Sequence, residues 1–218
     1  MIIDLCHALA IEVGSRDFNS ENIPSITTLV NSCQGLITVN KEASTMRLIH
    51  FTFKVYLSAY PDIFSGSHSV MAEICLTYLN SQQVRDLSAD RLADPCDFFH
   101  EKPSLRYSSV YWGVHARREL TECTRSLALE LHREYDDHIS AEIVQEEEWL
   151  SDWEKQEDIC KLDKSVIFNG LHYASVFGIP EIVVALVVTG CCDLNGGDFN
   201  GYTVHHLHGP LRKEIKTW

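Results

Sequence analysis

The segment from Phe168 to His206, FNGLHYASVFGIPEIVVALVVTGCCDLNGGDFNGYTVHH, constrains the fold more than any other. Two short apolar runs flank Gly178 and Pro180, Gly190 follows the second run, and Asp198 and Gly201 mark a tight turn. Glycine just past a helix favours the left-handed closing residue, and Asp and Gly favour turns. The pattern reads as one complete structural repeat, followed from Thr203 by the opening residues of another. Such a repeat leaves an apolar face open on each side and needs neighbours to cover it. The remaining chain must supply that cover, or leave the face to a partner.

The 218 residues suffice for one ordinary domain or two small ones. Hydrophobic content of 45% and charged content of 22% support a packed core. The net charge of −13 repels nucleic-acid phosphates and anionic membranes, and no concentrated basic patch offsets it. The densest basic spots are Arg117-Arg118 and the set Arg212, Lys213 and Lys216. None of the eight cysteines forms a C-x-x-C pair, and most lie in apolar runs, which favours reduced, buried thiols. The opening MIIDLCHALAIEVG lacks a basic leading segment and carries Asp4, so it reads as a helix rather than a signal peptide. The longest apolar run, Ile182 to Val188, is far short of the ~20 residues that span a bilayer. A cytoplasmic location is expected.

The first sixty residues change period repeatedly. Leu5, Cys6, Leu9 and Val13 fall at helical spacing, and Ile23, Ile26, Leu29, Val30 and Cys33 do so again, with Pro24 suited to a first helical turn. Ile37 and Val39, then Met46 and Leu48, alternate around a polar turn at 40–44, the pattern of a hairpin. Phe53, Tyr56, Leu57 and Tyr60 return to helical spacing, and Pro61 closes that helix. Helix, helix, ribbon, helix is what a winged helix offers. From Ser67 to about Ser140 helices are expected, with Met71, Ile74, Cys75 and Tyr78 on one face, a polar interruption from Leu87 to Pro103, and Thr121 as an N-cap. Cys123, Leu127, Leu131 and Tyr135 form the inward stripe of the last of these. Glu142 to Asp158 holds eight acidic residues against Lys155, which reads as a solvated connector or an acidic docking segment. Trp149 and Trp153, four apart, give it one packing face.

The terminal unit resembles the ankyrin repeat over one period of about 33 residues. Leu171, His172, Ala174 and Gly178 match its first helix and turn, and Glu181, Ile182, Val183 and Leu186 match its second helix. Gly190, Asp193, Asn195, Asp198, Gly201 and Thr203 match the loop and the next opening. Ala174 is small enough for close approach, and His172 corresponds to a scaffold histidine. The second repeat departs from the pattern at Val204-His205-His206, and Gly209-Pro210 would break its helix. The protein-interaction surface this implies is Val183 and Leu186 with Asp198, Asn200 and Tyr202.

The front half, SCQGLITVNKEASTMRLIHFTFKVYLSAYPDIF with HSVMAEICLTYL and SVYWGVHARREL, resembles the region after the nucleotide-binding module of fungal-type NACHT and related STAND ATPases. Those proteins place a winged helix, a helical stretch and ankyrin repeats in that order. The resemblance implies that His50, in RLIHFTF, contacts nucleotide phosphate when a NACHT module is supplied. No G-x-x-x-x-G-K-[ST] loop occurs in the sequence, so nothing here cradles phosphates and no cofactor is expected.

Other constellations carry less. Glu21 to Ile37 contains no Arg or Lys, which argues against a DNA-reading helix. Cys191-Cys192 with His205, His206 and His208 matches no zinc-finger spacing, His100-Glu101 lacks the second histidine of H-E-x-x-H, and there is no G-x-S-x-G. Catalytic and metal sites are expected to be absent. The fold expected is mainly α: a winged-helix-like segment at 1–62, a helical linker at 63–140, an acidic connector at 141–166, an ankyrin repeat at 167–203, and a truncated second repeat at 204–218. The function expected is non-catalytic signalling through contact with protein partners, including a full-length relative, with neither nucleic acid nor membrane. The alternatives are a truncated gene product without independent activity and a winged-helix DNA-binding regulator.

Overall fold

The computed structural model describes residues 2–40, 45–87, 102–133, 138–146 and 170–189. The fold is mainly helical. Its elements are α1 (Ile2–Leu9), α2 (Ile26–Ser32), β1 (Ile37–Asn40), β2 (Thr45–Leu48), α3 (Phe51–Ala59), α4 (Ser67–Asn80), α5 (Gln82–Arg85), α6 (Pro103–Arg118), α7 (Glu122–His132), α8 (Ile139–Glu146), α9 (Gly170–Phe177) and α10 (Pro180–Val188). Short 3-10 turns at Ser20–Asn22 and Pro61–Phe64 join them.

Helix α6 is the axle of the molecule. Pro103 opens it at a position where the missing N–H goes unclaimed, and Arg117 and Arg118 end it against the negative pole of the helix dipole. The expected interruption ending at Pro103 therefore stops where this helix starts; residues 88–101 lie outside the described residues. Leu105, Trp112 and Ala116 of α6 are fully buried and meet Ala72, Cys75, Leu76 and Leu79 of α4 in one cluster. Of the expected α4 stripe, Cys75 and Tyr78 are buried, whereas Met71 and Ile74 are only partly so.

Helix α7 packs across α4. Thr121 caps it as expected, its Oγ1 accepting from the Thr124 N–H at 3.0 Å. Its buried face is Thr124, Ala128, Leu131 and His132, one position round from the expected stripe. Cys123 is exposed, Leu127 is only partly buried, and Tyr135 lies outside the described residues. Small Ala128 and Thr124 allow close approach to α4, and the Asn80 amide donates to the Leu127 carbonyl at 2.9 Å.

Helix α8 buries Ile139, Ile143 and Val144 against α6. His138 donates from Nε2 to the Leu79 carbonyl at 3.0 Å and accepts at Nδ1 from the Ser140 N–H, so the start of α8 is pinned to the end of α4. The boundary expected between 140 and 141 thus falls inside a core helix, because Ile143 and Val144 supply an apolar face to the acidic sequence around them. Trp149 and Trp153 lie outside the described residues.

The terminal pair α9–α10 closes over the other side. Gly178, at φ 64°, makes the turn between them, and Pro180 opens α10. Tyr173 donates its hydroxyl proton to the Ser109 carbonyl. Trp112, Tyr173, Phe177 and His132 form an aromatic knot, with Trp112 edge-on to Phe177 at 5.0 Å between centroids. A Cβ on Gly113 would lie 2.1 Å from the Phe177 ring, so only glycine lets α9 seat this closely on α6.

The front segment behaves differently. Helix α1 does not join α2 and the hairpin in a common core; it docks on α6 through Ile2 and Cys6, with Ala10 just beyond, and Ser104 donates to the Asp4 carbonyl at 3.2 Å. The expected stripe Leu5, Leu9 and Val13 is exposed at 38%, 53% and 45%. The expected hairpin forms, with Ile37 opposite Leu48 and Val39 opposite Met46; Asn40, expected in the turn, ends β1 opposite Thr45. Helix α2 begins at Ile26, after Ser25 accepts from the Thr28 N–H at 3.0 Å, so Pro24 precedes the cap instead of lying in the first turn.

Candidate interaction surface

Residues 23–64 form a lobe of α2, the hairpin, α3 and the following 3-10 turn. Among the described residues between Ala10 and Ser69, none is buried. Ile26, Leu36, Ile49, Phe51, Val55, Tyr56, Tyr60, Ile63 and Phe64 are all exposed, Phe51 at 74%. Tyr56 and Tyr60 lie side by side, 4.7 Å between ring centroids. Monomer surfaces seldom carry apolar area on this scale; where they do, it marks contact with another molecule. The lobe is also electrically unlike the rest: it holds Lys41, Arg47 and Lys54 against Glu42 and Asp62, in a chain of net charge −13. Among the described residues the two strands pair only with each other, which leaves each an open outer edge there.

Two tethers join the lobe to the helical body. On the entering side, the Gly14 N–H donates to Thr77 Oγ1 at 3.1 Å and the Gln82 N–H to the Arg16 carbonyl at 3.2 Å. Phe18 stacks on His7 and meets Tyr78 edge-on. A cleft beside Phe18 and Tyr78 has a volume of only about 10 Å³, far below the roughly 300–1,000 Å³ of small-molecule sites. On the leaving side, the Glu119 carboxylate accepts from the N–H groups of Gly66 and Ser69 at 3.0 and 3.2 Å. A carboxylate here complements the positive pole of α4. Next to it, His68 of α4 and His115 of α6 approach at 2.8 Å between Nδ1 atoms. Burial, then the neighbouring His68 and Arg118, pull His115 down to about 4, and burial foremost pushes Tyr107 up to about 12.

His50 sits exposed at the corner between β2 and α3. Its Nδ1 accepts from the Thr52 N–H at 3.2 Å and lies 2.7 Å from Thr52 Oγ1, so it serves as the N-cap of α3. Leu186 is not on the surface: it is 1% exposed, in the cluster that joins α10 to α7. Val183 is partly buried against the same cluster. The apolar side chains that α10 does expose are Val184 and Val188, at 59% and 79%. Helix α10 turns Ile182 and Leu186 inward because α7 lies on that side. Asp198, Asn200 and Tyr202 lie outside the described residues, as do Cys191, Cys192 and the histidines at 205, 206 and 208.

Among the described residues there is no group of three His, Cys, Asp or Glu placed to hold a metal ion. Cys6, Cys33, Cys75 and Cys123 are free thiols; Cys75 is buried, and burial pushes it up to about 12, far from a nucleophile's range. No helix among the described residues is long and apolar enough to cross a membrane. Comparison with known proteins adds nothing to the mainly helical class: no family model matches the chain, and no curated protein or solved structure matches it either.

Proposed function

We propose that this chain is a non-catalytic interaction and regulatory segment of the kind that links a NACHT module to an ankyrin sensor in a STAND ATPase. In this reading the lobe at 23–64 is a winged-helix-like docking face for a protein partner, and α9–α10 is an ankyrin-like unit. The observation that carries it is the absence of any buried described residue between Ala10 and Ser69, alongside an exposed Phe51, Tyr56 and Tyr60. Folded elements that bury nothing of their own gain stability when a partner covers them. The nine exposed apolar residues named above, at roughly half exposure each, offer on the order of 1,000 Å², comparable to the ~800 Å² per side of a standard interface.

The order of elements and their resemblance to the NACHT-linking region support a nucleotide-binding module as the partner. His50 then stands at the edge of the docking face, where its exposed ring would meet a nucleotide phosphate brought by that module. The test is calorimetry of the purified chain against the ADP-loaded NACHT module of a full-length relative. Binding is expected, and Phe51→Asp should weaken it at least tenfold without changing the thermal melt. Absence of binding, or binding indifferent to Phe51→Asp and Tyr56→Asp, would sink this reading.

A further inference from the structure

The joint where the lobe enters α4 is held by a chain of hydrogen bonds that runs in one direction. Arg118 Nη1 lies 3.4 Å from His68 Nε2, and an arginine can only donate. That nitrogen of His68 must therefore accept, which leaves its proton on Nδ1. Nδ1–H of His68 then donates across 2.8 Å to Nδ1 of His115. His115 in turn carries its proton on Nε2 and donates it to the Tyr107 hydroxyl oxygen at 2.8 Å. The opposite direction would put a proton on His68 Nε2, facing the guanidinium.

Every ring nitrogen in this chain has one role, and a further proton has nowhere to go. Added at His115 Nδ1, it sets two protons between the rings. Added at His68 Nε2, it faces Arg118. The charged and titratable groups around the pair do not absorb it either. From α4, the Glu73 carboxylate accepts from the Thr121 hydroxyl at 2.6 Å and is 3.4 Å from that of Thr124. Just after α6, both Glu119 oxygens are taken by the N–H groups of Gly66 and Ser69. Burial foremost pushes Tyr107 and the Cys75 thiol up, so both stay neutral in this range.

We propose that His68 and His115 form a proton-operated latch at this joint: the neutral pair ties the first turn of α4 to the end of α6, and proton uptake parts them and frees the lobe to move. Gly66, at φ 82° two residues before His68, is the pivot. The latch regulates the docking face described above and so rests on that reading. His115 is a base held below its ordinary value, so the latch is closed above pH 6.5 and loosens as pH falls toward about 4.

Hydrogen exchange of the full chain at pH 7.5 and 5.5, corrected for the intrinsic pH dependence of exchange, tests the latch. Release of one histidine to its ordinary value makes opening about tenfold more favourable at pH 5.5. Amides of 51–70 should lose about that much protection. In the variant combining His68→Gln and His115→Gln the protection of 51–70 should be the same at both pH values. An unchanged wild-type lobe, or a double variant with the wild-type pH dependence, would overturn the proposal. Should the variant fail to fold, nitrogen-edited NMR of the wild-type imidazoles at pH 7.5 decides. His68 protonated on Nδ1 and His115 on Nε2 supports the latch; the reverse pair of tautomers, or a cationic His115, refutes it. Failure here leaves the Phe51→Asp binding result untouched.

Discussion

Helices α3 and α6 make the two halves of this molecule comparable. Helix α3 is the more apolar: Phe51, Phe53, Val55, Tyr56, Leu57 and Ala59 fill six of its nine positions, yet none of them is buried. Helix α6 carries three serines and three arginines, and it buries half of its sixteen residues. Burial here follows from neighbours. Among the described residues, helix α6 is flanked by α1, α4, α8 and α9, whereas the main contacts of α3 are with β2 and its own following turn. An apolar helix with few neighbours is half of an interface, and a polar one with four neighbours is a core.

That contrast can be broken by substitution. Trp112→Ala removes the largest fully buried side chain from the aromatic knot and should cost about 3–5 kcal/mol. Urea denaturation read by far-UV circular dichroism will show it, and a loss below about 1 kcal/mol would mean the knot is not the centre of the fold. A second effect is smaller and depends on pH. His132 is fully buried, donates from Nδ1 to the Ala128 carbonyl at 2.6 Å, and burial foremost lowers it to about 4. The unfolded chain takes up a proton at pH 6.5 that the folded one refuses, so this contribution is intact above pH 6.5 and shrinks below it. At pH 5.5 the body should be about 1.4 kcal/mol less stable from this group, and His132→Phe should flatten the slope. The smallest effect belongs to the lobe: Phe51→Ala should move stability by no more than about 0.5 kcal/mol. A loss of 2 kcal/mol there would show that the isolated chain covers its own lobe.

What could be read from the sequence was local chemistry. The hairpin follows from alternation around a polar turn, the Thr121 cap from a hydroxyl ahead of an amphipathic run, and the Gly178 turn from its place before Pro180. What could not be read was which of several apolar faces wins. Helix α1 is apolar on two sides: the side with Ile2, Cys6 and, just beyond, Ala10 is buried on α6, while Leu5 and Leu9 stay outside. Helix α10, PEIVVALVV, is apolar all round, so nothing in its period separates Leu186 from Val184. One signal for the candidate surface was present: the lobe is nearly neutral in a strongly acidic chain. A signal for the terminal docking was present too, since a glycine in mid-helix at 113 has a propensity cost and wants a packing reason.

The seat of Phe177 against Gly113 also sets an order of events during synthesis. Trp112 leaves the ribosome well before the ring that covers it. At about 5–20 residues per second, the interval from residue 112 to residue 177 is roughly 3–13 s. During that time an indole and its greasy surroundings stand open to the cell, so newborn chains depend on either quick completion or a chaperone to shield them.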